Sequence, residues 1–293
     1  MRVLFIGTVY FSRVMLEKLI ELNTNVIGVI TKKESSFNND FEDLSPIAIR
    51  NNIPYQYVQD INDPSSVQWI KQRHPDIIFC FGWSNLIKYE ILNCSPMGVV
   101  GFHPALLPYN RGRHPLIWAK VLGLKKSGTT FFFMDEGADR GDILNQKEFE
   151  ILFEDTAATL YDKMIDNALK QVELFLPKLQ KGNYSRLKQL GAGNTWRKRN
   201  STDGLIDFRM TNESICNLVR GLSKPYAGAH CKYKGAEFKV WEVQMADSND
   251  DNLEPGKVLE SDEKKIKVKA SIGAIIITNH NFSELPEVGT YIK

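Results

Sequence analysis

Gly98-Val99-Val100-Gly101-Phe102-His103-Pro104 is the stretch on which the fold turns. Its apolar run reads as a buried strand, and the chain leaves it through a histidine and a proline. A second such run, Pro75-Asp76-Ile77-Ile78-Phe79-Cys80-Phe81-Gly82, lies upstream, and Val3 to Ile6 and Val26 to Thr31 repeat the pattern. Between these last two, Val14 to Glu21 carries Val14, Leu16, Leu19 and Ile20 on or near one face, the mark of a helix. Apolar strands alternating with amphipathic helices predict an α/β fold, a mostly parallel, doubly wound sheet with ligands gathered at the carboxyl ends of its strands. His103 is expected just past such an end.

Downstream, Thr130 to Met134 reads as a further strand and Thr156 to Leu179 as a long helix. A polar, turn-rich connection then runs from Lys181-Gly182-Asn183-Tyr184 to Trp196-Arg197-Lys198-Arg199-Asn200. Beyond it come a short helix, Asn212 to Leu222, and alternating apolar segments at Glu237 to Gln244, Lys257 to Glu260, Lys264 to Ala270 and Ala274 to Thr278. Short strands with Gly, Asp and Asn turns predict a smaller, open β-barrel-like C-terminal domain. The expected organisation is a catalytic domain over 1–181, a linker over 182–203 and a helix-plus-strands domain over 204–293, within reach of a 293-residue chain.

A formal charge of +2 does not demand a polyanionic partner. The four cysteines, Cys80, Cys94, Cys216 and Cys231, form no CxxC pair and have no histidine-rich companion, so neither a metal nor a redox dithiol is expected. Met1 to Gly7 lacks the long apolar region and cleavage site of a signal peptide, and no run approaches the roughly 20 apolar residues that span a bilayer. A cytoplasmic protein without membrane partners is expected. Gly7-Thr8-Val9-Tyr10-Phe11-Ser12 lacks the second and third glycines of a dinucleotide fingerprint, which argues against NAD.

The run from Gly101 through His103-Pro104-Ala105-Leu106-Leu107-Pro108-Tyr109-Asn110-Arg111-Gly112-Arg113-His114-Pro115 is followed by Asp135-Glu136-Gly137-Ala138-Asp139-Arg140-Gly141-Asp142. Together they resemble the active-site signature of the folate-dependent formyltransferases, the family of methionyl-tRNA formyltransferase, and Tyr109 to Trp118 is closest to its sugar N-formyltransferase branch. The likeness extends over nearly the whole chain and implies a Rossmann-like formyltransferase domain with 10-formyltetrahydrofolate as donor. It implies that Phe81, Gly82, Trp83, Leu86 and Ile87, with Asp135 and Gly137, enclose the pterin. Arg197, Lys198, Asp203 to Asp207 and Leu218 to Ala229 look like the C-terminal domain shared by the tRNA and sugar enzymes.

Formyl transfer to an amine needs a proton removed from the attacking nitrogen, an oxyanion stabilised and a proton returned to the leaving nitrogen. One imidazole, oriented by a carboxylate, can serve both proton steps. His103 is the candidate proton-transfer residue and Asp139 its partner. Arg111 and Arg113 offer forks for a nucleotide diphosphate, and Tyr10 and Tyr109 offer rings for a base or sugar; solvated arginines and packing tyrosines are the competing readings. Ser12, Asn110 and Gly112 complete the expected acceptor site.

The resemblance implies a nucleotide-linked amino sugar as acceptor, hence a role in glycan biosynthesis, with methionyl-tRNA as the alternative. The tRNA enzymes carry a basic inserted loop where Glu34 to Asp43 here has four acidic residues and no basic one. The basic residues Lys181, Arg186, Lys188 and Arg197 to Arg199 keep tRNA in play. The family normally has Asn two residues before the histidine, where this chain has Gly101. Losing one oxyanion donor costs about a hundred- to a thousandfold in rate. Another donor, Asn110 or a backbone N–H, could fill the space; the site could have shifted to an unusual substrate; or the chain could bind folate or nucleotide sugar without catalysis. The sequence allows a homodimer and leaves the sugar and its nucleotide open.

Overall fold

The computed structural model describes residues 1–35, 40–248 and 252–293. Ser36 to Asn39, within the acidic stretch Glu34 to Asp43, lie outside the described residues. In chain order the elements are β1 (Arg2–Ile6), α1 (Tyr10–Glu21), β2 (Asn25–Thr31), α2 (Ser45–Arg50), β3 (Tyr55–Tyr57), α3 (Pro64–Gln72), β4 (Ile77–Cys80), α4 (Tyr89–Leu92), β5 (Val99–His103), β6 (Arg111–Gly112), α5 (Pro115–Val121), β7 (Lys126–Phe133), β8 (Ile143–Glu150), α6 (Ala157–Gln180), β9 (Thr195–Trp196), α7 (Asn212–Leu222), β10 (Ala229–Tyr233), β11 (Ala236–Ala246), β12 (Val258–Ser261), β13 (Ile266–Lys269) and β14 (Ala274–His280).

These form two compact units that interleave along the chain. The first holds Met1–Gly112, Gly128–Phe149 and Lys163–Trp196; the second holds Arg113–Ser127, Glu150–Asp162 and Arg197–Lys293. The first unit is built on a seven-stranded sheet in the order β3-β2-β1-β4-β5-β7-β8. The strands β1 to β5 pair in parallel, and β7 joins β5 antiparallel, so the sheet is mostly parallel with an antiparallel edge. Central strands buried on both faces need unbroken apolar runs, which is why β1 and β4 could be read directly; Val3 to Ile6 and Ile77 to Phe79 are fully buried. The hairpin of β7 and β8 was not expected as a pair, because β8 buries only Leu144 and otherwise alternates half-buried with exposed residues.

Aromatic packing holds the central strands beneath the site. Phe81 stacks on Phe79 at 5.2 Å and meets Phe131 edge-on at 5.2 Å, and Phe175 of α6 lies 4.9 Å from Phe131. Each buried ring is worth roughly 1.5–3 kcal/mol in apolar transfer, with a further fraction from its edge-to-face geometry. The second unit carries a five-stranded antiparallel sheet, β10-β11-β14-β13-β12, the open half-barrel that the alternating segments predict. Helix α7 spans the predicted residues, is capped by Thr211, whose hydroxyl accepts from Ser214 N at 3.1 Å, and buries Ile215, Leu218 and Val219.

Candidate active site

His103 closes β5 as its last residue rather than lying beyond it, and it is 5% exposed. Strand pairing opposes it to Thr130 on β7, and this pairing sets the turn that follows. The Thr130 hydroxyl donates to Ala105 O at 2.6 Å, while the Gln146 amide donates to Leu107 O at 2.9 Å and to the Thr130 hydroxyl at 2.8 Å. The chain then folds back so that Asn110 O lies 2.7 Å from His103 Nε2. A carbonyl only accepts, so in this arrangement Nε2 carries a proton.

On the other side of the ring, His103 Nδ1 faces Asp139 Oδ2 at 3.7 Å, within ion-pair range but longer than a hydrogen bond. The same carboxylate oxygen accepts from Gly112 N at 3.0 Å. The imidazole thus has a carbonyl hydrogen-bonded at one nitrogen and a carboxylate at ion-pair distance from the other. Asp139 is held with φ 57°, a left-handed backbone that a non-glycine residue keeps only when its surroundings impose it.

Gly101 lies on the same face of β5, two residues before His103. A Cβ placed there would stand 2.9 Å from Met134 Cγ, 3.1 Å from Met134 Sδ and 3.1 Å from Phe132 Cζ. The space beside Gly101 that a side chain would enter is therefore taken by the Met134 thioether and the Phe132 ring, neither of which has a polar hydrogen to donate. Met134 also borders a cavity of about 400 Å³ whose walls include Leu92, Val99, Asp135 and Arg186.

Several expected site residues have different employment. Phe81 and Ile87 are core side chains, 0% and 1% exposed, so only their backbone can meet a ligand. Gly82 has φ +71°, and a Cβ there would fall 2.4 Å from Ser12 Oγ and Val9 Cγ2. Ser12 is buried, and its hydroxyl accepts from Thr8 N and Val9 N at 3.2 Å and donates to Phe81 O at 2.5 Å, which ties α1 to the end of β4. Trp83 has a buried Nε1 with no hydrogen-bond partner among the described residues, and Lys32 stands 5.3 Å over its ring. Leu86 is exposed, and Asp135 Oδ1 accepts from Gly137 N at 2.9 Å.

Tyr10 stacks under Arg13 at 4.7 Å, whereas Tyr109 is 58% exposed. The Arg111 fork donates from Nε to Asp139 O at 3.1 Å and from Nη2 to Gln189 Oε1 at 2.6 Å, so it is engaged within the first unit. Arg113 is exposed and belongs to the second unit. The structure thus brings together His103, Asp139, Asn110, Arg111 and Gly112. It adds Met134, Gln146, Gln189 and Asn194, which sequence reasoning missed; the glycines of Gly191-Ala192-Gly193-Asn194 marked only a turn-rich connection.

In the second unit, Arg197 pairs with Asp203 through both ends of its fork, at 2.5 and 2.8 Å. These hydrogen bonds, then that from Asn200 N, hold the Asp203 carboxyl well below the usual range. Arg199 is buried, stacks 4.6 Å over Trp118 and donates to Asp203 O at 2.5 Å. Burial and the neighbouring Arg113, Arg199 and Lys198 push His114 down, and its Nδ1 accepts from Arg199 N at 3.3 Å. No helix among the described residues is long and apolar enough to cross a membrane.

A histidine facing a carboxylate at the carboxyl edge of a mostly parallel sheet places two ionisable groups where α/β folds gather their ligands. Comparison with known proteins is more specific. Residues 1–173 match the Formyl transferase family and residues 198–287 match Formyl transferase, C-terminal domain. The chain belongs to this family and is a formyltransferase. It is 30% identical over 287 residues to methionyl-tRNA formyltransferase of Acetivibrio thermocellus, covering 96% of this chain and 92% of that one. Its fold is similar to that of the N-formyltransferase from Helicobacter canadensis in complex with folinic acid and dTDP-3-aminofucose, with TM-score 0.74, 18% identity, and 95% and 98% of the two chains covered. HypX from Aquifex aeolicus in complex with tetrahydrofolic acid gives TM-score 0.70 at 19% identity over 97% of this chain, which spans only 44% of HypX.

Proposed function

We propose that the chain transfers the formyl group of 10-formyltetrahydrofolate to the primary amine of a nucleotide-linked amino sugar in the cytoplasm. The observation that carries the acceptor is the exposed ring of Tyr109, adjacent in sequence to the residue whose carbonyl meets His103, where a base or sugar can stack. The cavity that Met134 borders includes Gly98 and Val99 at the start of β5 and lacks Gly101 and His103, so the formyl donor is assigned to the loop after β4 rather than to that cavity. The buried, unpartnered Trp83 Nε1 adds a donor on the pterin loop.

The donor supplies an electrophilic formyl carbon. Its attack by the acceptor nitrogen requires His103 Nε2 to leave Asn110 O and give up the proton it holds there, the ring exchanging through solvent to the tautomer protonated at Nδ1, which faces Asp139. Nε2 then takes the amine proton, the carboxylate stabilises the imidazolium, and the same nitrogen returns a proton to the leaving folate nitrogen. Gly101 and Met134 bring no oxyanion donor, so that duty falls to a backbone N–H or to the Asn110 amide.

The 30% identity to methionyl-tRNA formyltransferase over nearly the whole chain favours a second reading, transfer to methionyl-tRNA. Against it, Arg197 and Arg199 are committed to Asp203 and Trp118, and Arg186 donates to Met97 O at 2.7 Å, which leaves few cations of the connecting segment for a phosphate backbone. The deciding assay follows tetrahydrofolate release and formyl mass gain with a panel of nucleotide-linked amino sugars and with methionyl-tRNA, His103→Ala being the control. Sugar turnover lost in the control is expected. Formylation of methionyl-tRNA with a steep salt dependence would replace the sugar reading, and donor binding without turnover on any acceptor would leave a binding protein.

A further inference from the structure

The segment from Gln189 to Trp196 lies against the loop that carries Asn110 to Gly112. Asn194 Oδ1 accepts from Asn110 N at 2.8 Å, Asn194 O accepts from Arg111 N at 3.1 Å, and β6 pairs in parallel with β9. Gly193, at φ +62°, brings its backbone so close to the loop that a Cβ would stand 2.1 Å from Pro108 O. Within this strap the Gln189 side-chain amide bonds to the site. Its Oε1 accepts from Arg111 Nη2 at 2.6 Å, and its Nε2 donates to Asp139 O at 2.9 Å and to Gly141 O at 2.8 Å.

Asp139 O is thereby gripped twice, by Gln189 Nε2 and by Arg111 Nε, on the one residue of the pair whose backbone is left-handed. With the carbonyl held, the carboxylate accepts from Gly112 N and faces His103 Nδ1. We infer that Gln189 is a positioning residue, which sets the Asp139 carboxylate against His103 by holding the Asp139 backbone. The inference rests on the reading of His103 and Asp139 as the proton-transfer pair. Glutamine is the suitable side chain because the site asks for one acceptor and two donors from a single planar group; a glutamate keeps the Arg111 bond but has no hydrogen for either carbonyl.

The test compares Gln189→Ala and Gln189→Glu in wild-type and Asp139→Asn backgrounds, with His103→Ala alongside, using the acceptor that turns over. Displacement of a reacting group by about 1 Å costs on the order of a hundredfold. Both variants should lower kcat by roughly 10- to 100-fold while the donor Kd, read from tryptophan fluorescence, stays within about twofold. In the Asp139→Asn background the further loss should be less than about twofold, since the residue being positioned no longer has its charge. Amide exchange at Gly112, which needs no acceptor and reports the bond to Asp139, should accelerate about tenfold in both variants. Wild-type kcat in Gln189→Ala, full activity in Gln189→Glu, an equal loss in both backgrounds or unchanged exchange at Gly112 would each overturn the inference. Wild-type turnover in His103→Ala would instead remove the reading beneath it.

Discussion

Replacing Gly101 by Asn tests whether the site can regain the amide that its relatives are expected to carry. The new Cβ would meet Met134 Cγ at 2.9 Å and Sδ at 3.1 Å on one side and Phe132 Cζ at 3.1 Å on the other. Real Cβ contacts are longer, and β5 is hydrogen-bonded to β4 and β7, so the side chain of Met134 has to move. Forcing extra atoms into a packed site costs about 1–3 kcal/mol. At roughly 2–4 °C per kcal/mol for a unit of this size, Gly101→Asn should melt about 2–12 °C below wild type. Met134 is flexible and lines an open cavity, so Gly101→Asn with Met134→Ala should recover most of that loss. If the amide then reaches the formyl oxygen, kcat in the double variant should rise at least tenfold over wild type, within the hundred- to thousandfold worth of an oxyanion donor. Thermal melts and single-turnover formyl transfer, measured on both variants, decide it. A single variant as stable as wild type would refute the packing argument, and a stable double variant with an unchanged rate would show that the oxyanion already has its donor.

Other expectations follow from particular groups. Tyr109→Ala should raise KM for a nucleotide-linked acceptor about tenfold with the donor Kd unchanged; equal KM values would remove the stacking role. Lys120 is buried with its Nζ on Leu152 O and Phe153 O, and burial, aided by Arg220, pushes it from 10.5 down to about 8. Between those values the unfolded chain binds a proton that the folded chain does not, so stability should rise with pH from about 8 to 10.5, by at most about 3 kcal/mol because the two carbonyls favour the ammonium. Denaturant titrations of wild type and Lys120→Met across that window should show the rise in wild type alone. Asp203 is held low by Arg197, so its contribution is complete above its ordinary value of 3.8 and drains as pH falls below it. Asp203→Asn should lose about 1–2 kcal/mol at pH 7, limited by the 60% exposure of Arg197, and should melt with a flatter acid arm than wild type.

How far the site could be read in advance varied residue by residue. Val3 to Ile6 and Ile77 to Cys80 announce themselves because a strand covered on both faces must be apolar throughout, and α7 does so through its one-sided spacing. His103 and Asp139 were visible as a motif, and they do face each other. Ser12 was singled out for a substrate and instead ties a helix to a neighbouring strand. Arg111 was singled out for a diphosphate, and its fork holds Asp139 O and Gln189. The bonds to Phe81, Asp139 and Gln189 leave no local trace, because those partners lie far away in sequence and the residue type is the same in both roles.

The sequence alone determined the kinds of structure present, an α/β unit with a mostly parallel sheet and a short-stranded second unit, while the candidate pair His103 and Asp139 came from the resemblance of their motifs to a known family. Periodicity and motif spacing are local properties, and these conclusions needed only local properties. Tertiary structure alone decided that β7 runs antiparallel to β5, that Asn110 O meets His103 Nε2, that Met134 fills the space beside Gly101, and that Gln189 grips Asp139 from a segment that reads as a plain connection. Each of these joins residues through space, where close packing and the need to satisfy every buried polar group choose partners that neighbours along the chain do not reveal.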